Sequence, residues 1–333
     1  MTIKDLAAQT GYSVGTVSRV LNNQPHVSEQ AKKTILRAAE ESGFQLNINA
    51  KQLKQQQSNA LLVICKGKAN ELFDMLLINI QTRVADTEYT LIVDYIDERE
   101  NEVHRALRLC REKKPLGILF LGGTREHFRE SFGQISVPCV LVTSSAGELE
   151  FSNLSSVSSD DMLAASQAIR SLLELGHRQV AVIGGHRGQS DIVGLRYEGC
   201  IRAFREQGVS FEEERYETAR FTYTDGYRAA QDLLQRAPGF TALFAMSDVM
   251  ALGAIRALAD AGKRVPEDVS VIGFDGLPIG DYTVPRLSTV SQPVELLAAK
   301  GVELLLKQIE EDAEAQHELV PTCLLMKESV RGL

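Results

Sequence analysis

The 333-residue sequence predicts a small all-α unit, a polar linker and a larger α/β core made of two doubly wound parallel-sheet lobes. Three observations predict this fold class. Apolar residues recur at helical spacing over the first 43 residues, a glutamine-rich polar segment follows at 45–59, and continuous apolar runs then alternate with amphipathic segments. Runs of Val, Ile and Leu without polar alternation are typical of parallel strands that are buried on both faces. They extend further than one ordinary doubly wound unit, so two lobes are expected.

The N-terminal unit is predicted from helix caps and apolar stripes. Thr2, Ser13 and Ser28 are predicted N-caps, and Gly11 and Gly43 are predicted to end the first and third helices. The inward stripes are Ile3, Leu6 and Ala7 in the first helix, Val17, Val20 and Leu21 in the second, and Ala31, Ile35, Ala38 and Ala39 in the third. Because helices this short bury their stripes only against one another, a compact unit of three helices is expected.

The core elements are predicted from the apolar runs and the segments between them. The expected strands are 60–65, 89–94, 116–121, 138–142, 179–183, 241–246 and 268–273, and helix-length segments include 98–113, 161–175, 191–207, 226–236 and 248–262. Ligands of open parallel sheets bind beyond the carboxyl ends of the strands. The cleft between the two lobes is therefore the expected binding site.

The charge of the chain is unevenly distributed. The net charge is −8, yet residues 1–58 carry seven Lys or Arg against four Asp or Glu, a net of +3, and the rest of the chain carries −11. A basic head on an acidic body is typical of a protein in which one small domain meets a polyanion. The charge pattern therefore favours a nucleic-acid partner for the N-terminal unit.

Several functional classes are disfavoured by the sequence. No apolar run approaches the 18 residues of a membrane span, and the first residues lack the continuous apolar stretch of a signal peptide. The five cysteines are scattered without a CxxC pair, so reduced thiols, a cytoplasmic location and no metal site are expected. The glycine-rich segment 184–190 lacks both the P-loop ending and the dinucleotide spacing. His177 and His186 have no neighbouring nucleophile, so neither an enzyme nor a cofactor is expected.

The segment 13-SVGTVSRVLNN-23 is the strongest functional candidate. On a helix, Val17, Val20 and Leu21 lie on one side, whereas Gly15, Ser18 and Arg19 lie on the other, with Val14 near the border. Small residues and one arginine on the exposed side are typical of a helix that enters a DNA major groove. An ordinary surface helix is the alternative reading of so short a pattern.

The expected DNA contacts follow from the chemistry of these side chains. The Arg19 guanidinium matches O6 and N7 of guanine, and the Val14 methyl groups match a thymine methyl. The hydroxyl groups of Ser13, Thr16 and Ser18 suit phosphate oxygens. With Gly15 and Asn22, these residues form the predicted DNA-binding set of the headpiece.

The residues 2-TIKDLAAQTGYSVGTVSRVLNN-23, the following HVSEQAKKTILRAAEESGF and the downstream pattern resemble the lactose/galactose-repressor family of transcriptional regulators. The resemblance covers essentially the full chain. It implies a helix-turn-helix headpiece, a hinge helix and a core like the type I periplasmic sugar-binding proteins. It also implies a homodimer, with a tetramer left open, that binds a near-palindromic double-stranded DNA operator.

The resemblance also implies domain boundaries and base-reading residues. The headpiece would span 1–46, the hinge 47–58 and the core 59–333, with lobe 1 at about 60–158 and 290–318 and lobe 2 at about 159–289 and 319–333. By position, Val14, Gly15 and Arg19 match the base-reading residues of the family. Gly15 departs from the pattern, because a side chain usually projects there.

The polar linker matches the family's hinge. The family pattern runs aromatic-x-Pro-Asn-x-x-Ala-Arg-x-Leu, and Ala50, Lys51 and Leu53 match its last part. Leu53 would be the leucine that two subunits wedge together into the minor groove. Leu46 replaces the proline and Lys51 replaces the arginine, which keeps a charge for phosphate. From the residues alone, a flexible linker and a short conditional helix are both open.

In the core, the resemblance implies an effector site. Arg196 matches the arginine that reaches the effector, and Phe73 resembles the aromatic residue that lines the cleft from the first lobe. The alternatives are a surface salt bridge for Arg196 and a buried helix residue for Phe73.

Acidic and hydroxyl residues complete this expected site. Ser247, Asp248 and Asp275 come directly after predicted strands, and Asp275 either accepts two hydroxyls of a sugar-like ligand or caps the next turn. The pair Asp160 and Asp161 falls where the family places a lobe-crossing aspartate and a helix start. Asp160 is therefore included in the expected effector set. Asp191 and, less directly, Arg187 are further candidates before Arg196.

The expected function is effector-controlled DNA binding, most simply repression. A small, sugar-like effector in the cleft would change the angle between the lobes, move the two hinge starts and alter operator affinity. The sequence leaves open whether the effector releases or recruits DNA. A protein co-regulator docked on the first lobe, or a solute-binding protein or enzyme with a structural head, are the alternatives. No membrane partner is expected.

Overall fold

The computed structural model describes residues 3–21, 28–42, 59–67, 70–187 and 191–333. The chain divides into two compact units, Met1–Gln57 and Ser58–Leu333. The predicted hinge helix lies outside the described residues, as do Thr2 and Gly43.

The first unit contains three helices that pack against one another, α1 (Ile3–Thr10), α2 (Val14–Leu21) and α3 (Glu29–Glu41). Gly11, at a φ of +73°, ends α1, because glycine adopts the left-handed conformation at little cost. The Ser13 and Ser28 hydroxyls accept hydrogen bonds from the Thr16 and Ala31 amides at 3.1 and 3.3 Å, so both cap their helices. The buried core comprises Leu6, Ala7, Val17, Val20, Ala31, Ile35 and Ala39. The predicted three-helix unit is confirmed.

The second unit contains two six-stranded sheets, which form two lobes. The first sheet has the order β11-β5-β4-β3-β1-β2 and the second the order β12-β10-β9-β8-β6-β7. The strands of the first sheet are β1 (Ala60–Lys66), β2 (Thr90–Ile96), β3 (Gly117–Leu121), β4 (Cys139–Val142), β5 (Leu154–Ser159) and β11 (His317–Val320). Those of the second are β6 (Val180–Gly184), β7 (Tyr216–Thr218), β8 (Ala242–Ala245), β9 (Ser270–Asp275), β10 (Ser288–Ser291) and β12 (Cys323–Leu325). All neighbouring strands run parallel except β10 and β12, which are antiparallel.

Helices cover the sheets. They are α4 (Glu71–Ala85), α5 (Glu102–Lys113), α6 (Arg125–Ser131), α7 (Asp161–Glu174), α8 (Asp191–Glu206), α9 (Tyr223–Arg236), α10 (Asp248–Asp260) and α11 (Val294–Glu310), with short 3-10 turns at Phe132–Gln134, Gly147–Leu149, Glu213–Arg215 and Pro278–Asp281. In the first lobe, α4 and α11 pack on one face of the sheet, and α5 and α6 pack on the other. The strands are therefore buried on both faces, as a doubly wound lobe requires.

The chain passes between the lobes at one side of the molecule. It leaves the first sheet after β5, returns after β10 and crosses again between β11 and β12. The strands β5 and β11 are neighbours at one edge of the first sheet, and β10 and β12 are neighbours at one edge of the second. The three connections therefore form one hinge region.

Every predicted strand is present, with ends shifted by one or two residues. The strands β5, β7, β10, β11 and β12 were not predicted. The β5 sequence LSSVSS looks polar, yet all six residues are buried. Two of its serine hydroxyls bond to β11 and the residue before it: Ser155 accepts from the Gln316 amide at 3.1 Å, and Ser156 lies 2.9 Å from His317 Nδ1. This pairing with distant residues offsets the cost of burying polar groups.

Among the described residues, every helix is too short or too polar to cross a bilayer.

The contact between α9 and α10 depends on a glycine. A Cβ at Gly226 would lie 2.5 Å from the Met250 carbonyl oxygen and Cα, whereas a Cβ at Gly194 in α8 would meet nothing within 4 Å. We expect Gly226→Ala to destabilise the core by about 1–3 kcal/mol, because backbone must move apart. Gly194→Ala should stabilise it by roughly 0.5–1 kcal/mol. Urea unfolding of both variants measures the difference, and equal effects would contradict this packing.

Candidate functional site

A buried guanidinium lies at the carboxyl edge of the second sheet. Arg196, in α8, is 3% exposed. Its Nε donates to Asp161 Oδ1 at 2.7 Å, and its Nη1 donates to the Met246 carbonyl oxygen at 2.6 Å. The guanidinium also lies over the Phe274 ring, 3.6 Å from the centroid. Three distant segments therefore hold one cation in place.

Asp275 is the last residue of β9 and adjoins this arginine. It is 8% exposed and has a φ of +116°, a conformation that side chains disfavour. Its Oδ1 accepts from Gln292 Nε2 at 2.9 Å, and Gln292 Oε1 accepts from Ser159 Oγ at 3.2 Å. Because Ser159 ends β5 in the first sheet, this chain of hydrogen bonds connects the two lobes at the hinge region.

Burial governs the electrostatics of these carboxylates. Burial raises the pKa of Asp275 to about 7, while the charge of Arg196 acts in the opposite direction. Burial also raises the pKa of Asp161, again opposed by Arg196. The Asp248 pKa is raised to about 8 by burial and by the charge of Asp275. Carboxyl groups in this range gain or lose protons near neutral pH.

Two atoms of this cluster are available to a ligand. Arg196 Nη2 and Asp275 Oδ2 form no hydrogen bond with any described residue, although both side chains are buried and otherwise held. A donor and an acceptor held in this way suit a polyhydroxylated molecule, in which each hydroxyl both donates and accepts.

Two buried hydroxyl groups of the first lobe lie at the carboxyl end of β4. Thr143 has a φ of +78°, which is rare for a β-branched residue. Thr143 Oγ1 and Ser144 Oγ are buried and have no hydrogen-bond partner in the described part of the chain. A buried polar group without a partner is costly, so these hydroxyls are further candidates for ligand contact.

A second polar cluster fixes the neighbouring end of β3. The fully buried Glu102 accepts from the Thr124 amide at 2.6 Å and contacts His127 Nδ1 at 2.9 Å. Lys66, the last residue of β1, pairs with Glu102 and donates to Thr124 Oγ1 at 2.8 Å. The lysine charge is therefore neutralised within the first lobe.

In the first unit, α2 presents Arg19 to solvent while Val17 and Val20 are buried in the three-helix core. Ser13 Oγ and Thr16 Oγ1 lie 2.9 Å apart at the start of this helix. One face of the helix therefore packs in the core of the unit and the other carries an exposed arginine, which is the arrangement expected of a helix that enters the major groove.

Comparison with known proteins decides the family. Residues 2–47 match the family described as bacterial regulatory proteins, lacI family, and residues 145–330 match the periplasmic binding protein-like domain. The HTH-type transcriptional regulator MalR of Clostridium butyricum is 32% identical over 335 residues, which cover 99% of this chain and 99% of that protein. This chain belongs to the lacI family. It is a DNA-binding transcriptional regulator, and the resemblance noted in the sequence is confirmed.

Other lacI-family proteins show the same extent of similarity. The ribose operon repressor of Halalkalibacterium halodurans is 31% identical over 332 residues, covering 99% of this chain and 97% of that protein. A solved structure, the transcriptional regulator CelR–cellobiose complex, has a TM-score of 0.72 and 27% identity and covers 99% of each chain. The fold of a helix-turn-helix headpiece followed by a two-lobed core is thereby confirmed.

The predicted DNA-binding residues are only partly within the described residues. Ser13 caps α2, and Val14, Gly15, Thr16, Ser18 and Arg19 lie in it. Asn22 and the hinge residues Ala50, Lys51 and Leu53 lie outside the described residues. Their contacts with DNA stay predictions.

The structure brings together some of the predicted effector residues. Arg196 and Asp275 share one buried cluster, and the surface salt bridge considered for Arg196 is wrong, because its partner Asp161 is only 4% exposed. Asp161 rather than Asp160 meets the arginine: Asp160 is exposed and caps α7 by accepting from the Leu163 amide at 2.9 Å. Adjacent residues at a helix start point in different directions, so the sequence could not choose between them.

The remaining candidates have other surroundings. Ser247 caps α10 through the Met250 amide at 3.3 Å, and Asp248 accepts from Thr289 Oγ1 and the Leu277 amide, both at 2.6 Å. Phe73 is buried in an apolar cluster that contains residues of both lobes, and Asp191 is the first residue of α8. Whether Ser247, Phe73 and Asp191 contact an effector stays a prediction.

Arg187 belongs to a different cluster. Its guanidinium lies 4.5 and 4.9 Å from the ring centroids of Tyr197 and Tyr216, and it pairs with Glu213 at 2.9 Å. These contacts place the guanidinium in a cluster of its own in the second lobe.

Sequence reasoning missed Gln292, Ser159, Phe274 and Thr143. Glutamine, serine and threonine at strand ends carry no distinctive spacing, and Phe274 directly follows the predicted strand 268–273 without any functional pattern of its own. Across the described residues, no group of three or more His, Cys, Asp or Glu side chains is arranged to hold a metal ion.

The raised pKa of Asp275 predicts a pH dependence of stability. Its folded pKa of about 7 exceeds the model-peptide value of about 3.9, so the folded state binds the proton more tightly and stability falls as pH rises from about 4 to 7. We expect Asp275→Asn to remove part of this fall, an effect on the order of a few kcal/mol.

Thermal unfolding between pH 5 and pH 8 measures this effect. The variant should gain stability relative to the parent as pH rises. Asp281→Asn is the control, because the ion pair with Lys327 lowers the pKa of Asp281 and moves its titration below this range. Parallel pH profiles for the parent and Asp275→Asn would contradict the raised pKa of Asp275.

Proposed function

We propose that this protein is a homodimeric, cytoplasmic repressor whose affinity for a near-palindromic DNA operator is controlled by a small sugar-like metabolite bound between the lobes. The observation that carries the effector part is the buried cluster in which Arg196 Nη2 and Asp275 Oδ2 form no hydrogen bond with any residue that the structure describes. A cytoplasmic location follows from binding to chromosomal DNA.

The chemistry of the cluster favours a polyhydroxylated effector. Arg196 is already bonded to Asp161 and to the Met246 carbonyl, so the N–H groups of its Nη2 suit a hydroxyl group. Asp275 offers an acceptor for the same kind of group, and Thr143 and Ser144 add hydroxyls from the other lobe. The similar protein CelR was solved in complex with cellobiose, a sugar, which agrees with this inference. Residues Phe73, Asp191 and Ser247 are secondary members of the proposed site.

For DNA binding, we propose a headpiece of residues 1–46, a hinge of 47–58 and a core of 59–333. In this proposal α2 lies in the major groove with Arg19 at a guanine, and Leu53 enters the minor groove beside its counterpart in the second subunit. The hinge residues Ala50 and Lys51 approach the phosphates, and the hinge helices fold when both headpieces are docked.

A second copy of the chain is the proposed partner of an apolar segment in the second lobe. The side chains of Ile279, Tyr282 and Val284 are 42, 84 and 96% exposed, which is unusual for large apolar residues so close in sequence. Pairing of two copies would cover them and would present two headpieces to one operator.

The control mechanism follows from linkage between two sites. Effector bound to both lobes favours one angle between them, and that angle sets the separation of the two hinge starts in the dimer. A coupling of about 1–3 kcal/mol changes operator affinity by roughly 5- to 150-fold.

Substitution of Arg19 tests the DNA part of the proposal. With an operator selected from a random duplex pool by the full-length protein, Arg19→Ala should weaken binding by about 1–3 kcal/mol and relax one base pair. Leu53→Ala should weaken binding to the selected operator and leave binding to unrelated DNA nearly unchanged. Arg256→Ala, which removes an exposed arginine of the core, is the matched control. If Arg19→Ala recognises the selected operator equally well, α2 is not the helix that reads the major groove through Arg19.

Thermal shift against neutral sugars, amino sugars, sugar phosphates and nucleosides tests the effector part. A ligand of the proposed site should raise the melting temperature in proportion to the logarithm of its concentration. Asp275→Asn should reduce this shift, because the amide replaces a charged acceptor, whereas the exposed Asp281→Asn should retain it. A ligand whose shift is the same in both variants binds elsewhere.

A further inference from the structure

The two lobes are tied together at the side of the core that lies away from the hinge region. Glu98 follows β2 and Arg220 follows β7, and the two side chains form an ion pair between the lobes. Both are partly exposed, at 36% for Glu98 and 49% for Arg220. Exposed pairs of this kind form and break at small cost in free energy.

A second contact between the lobes lies beside the first. Tyr223, the first residue of α9, donates its hydroxyl to Glu71 Oε1, at the start of α4, at 2.5 Å. Partial burial of the ring, together with this bond, raises the pKa of Tyr223. The phenol hydrogen is therefore held by a carboxylate of the opposite lobe.

The sheet orders place the Glu98–Arg220 pair opposite the hinge region, and Glu71 follows β1, the strand next to that edge. The connections between lobes are at the β5/β11 edge of the first sheet and the β10/β12 edge of the second. The strand β2 is the other edge of the first sheet, and β7 is the other edge of the second. Rotation of the lobes about the hinge moves groups apart in proportion to their distance from it. Contacts near these far edges are therefore among the first to break when the cleft opens.

Apolar contact continues between these far edges and the hinge region. Val249 and Leu277 of the second lobe are 7 and 3% exposed and belong to the same buried cluster as Leu72 and Phe73 of the first lobe. Opening of the cleft would expose this apolar surface to water, which costs free energy. The polar contacts and the apolar cluster therefore favour the same closed arrangement.

We propose that the Glu98–Arg220 and Glu71–Tyr223 pairs form a latch that holds the cleft closed before any effector binds. The latch sets the ratio of open to closed protein, and this ratio scales the apparent affinity for any ligand that binds one of the two forms. The inference concerns the core alone, and it stands whether or not the effector is a sugar.

The size of the effect follows from the exposure of the ion pair. A partly exposed pair changes an equilibrium by about two- to five-fold. Salt screens such a pair, because the Debye length shortens from about 10 Å at 0.1 M to about 3 Å at 1 M. High salt should therefore open the parent protein and have less effect on a protein that lacks the pair.

Distance measurement between spin labels tests the latch in the full-length protein without ligand. Labels at Glu130→Cys in the first lobe and Asp232→Cys in the second lie on exposed positions. Cys110→Ser and Cys323→Ser remove the more accessible native thiols, and burial raises the pKa of Cys65, Cys139 and Cys200 and keeps them unreactive. Pulsed electron paramagnetic resonance then gives the fractions of short and long distances.

Four variants separate the latch from a general loss of stability. Arg220→Gln and Tyr223→Phe should each raise the ratio of long to short distances about two- to five-fold. The charge exchange Glu98→Arg with Arg220→Glu should restore the parent ratio. Arg256→Gln, which breaks the Arg256–Asp260 pair within α10, is the control and should leave the ratio unchanged.

Two results would overturn the proposal. The first is a distance distribution that neither Arg220→Gln nor Tyr223→Phe alters. The second is an Arg220→Gln opening that the charge exchange fails to reverse, because the side chains would then act through something other than their pairing.

Discussion

The core depends on how it accommodates one buried cation. Arg196 is almost completely removed from water, and an unpaired charge in that position would cost several kcal/mol. Asp161, the Met246 carbonyl and the Phe274 ring each provide part of the compensation. They come from α7, from the end of β8 and from β9, so the arginine can be satisfied only when the second lobe is assembled. The same contacts leave the Nη2 group of Arg196 without a hydrogen bond to any described residue, and in the proposed function this group would bond the effector.

The proposed effector would lie at the same edge of the sheet, beside contacts that join the two lobes. Gln292 connects Asp275 in the second lobe to Ser159 in the first, and all three residues adjoin the segments through which the chain passes between lobes. A ligand bonded to Arg196 and Asp275 would therefore act close to the rotation axis, where small displacements become large ones at the far edges. The ion pair and the tyrosine contact at those far edges would resist the same rotation.

Much of this architecture could be predicted from the sequence, because the signals for its elements lie within short stretches of the chain. The helices of the headpiece depend on caps and stripes within ten residues of one another, and the seven strongest strands are continuous apolar runs. The strand β5 was missed because its serines are stabilised by His317 and Gln316, more than 150 positions away in the chain. The helix α4 was not predicted, although its residue Phe73 was a candidate site residue. Its apolar residues occur on more than one face, so they give no clear helical stripe.

The sequence by itself determined a three-helix headpiece and two doubly wound lobes. It also singled out Arg196 and Asp275 as candidate site residues. Tertiary structure alone decided that Asp161 rather than Asp160 meets Arg196, that Asp248 ties β9 to β10, and that Glu98 and Glu71 reach the opposite lobe. Local periodicity fixes an element and its inward face. The partner of a polar side chain depends on its direction and on segments far away in sequence, which only the assembled lobes bring within hydrogen-bond distance.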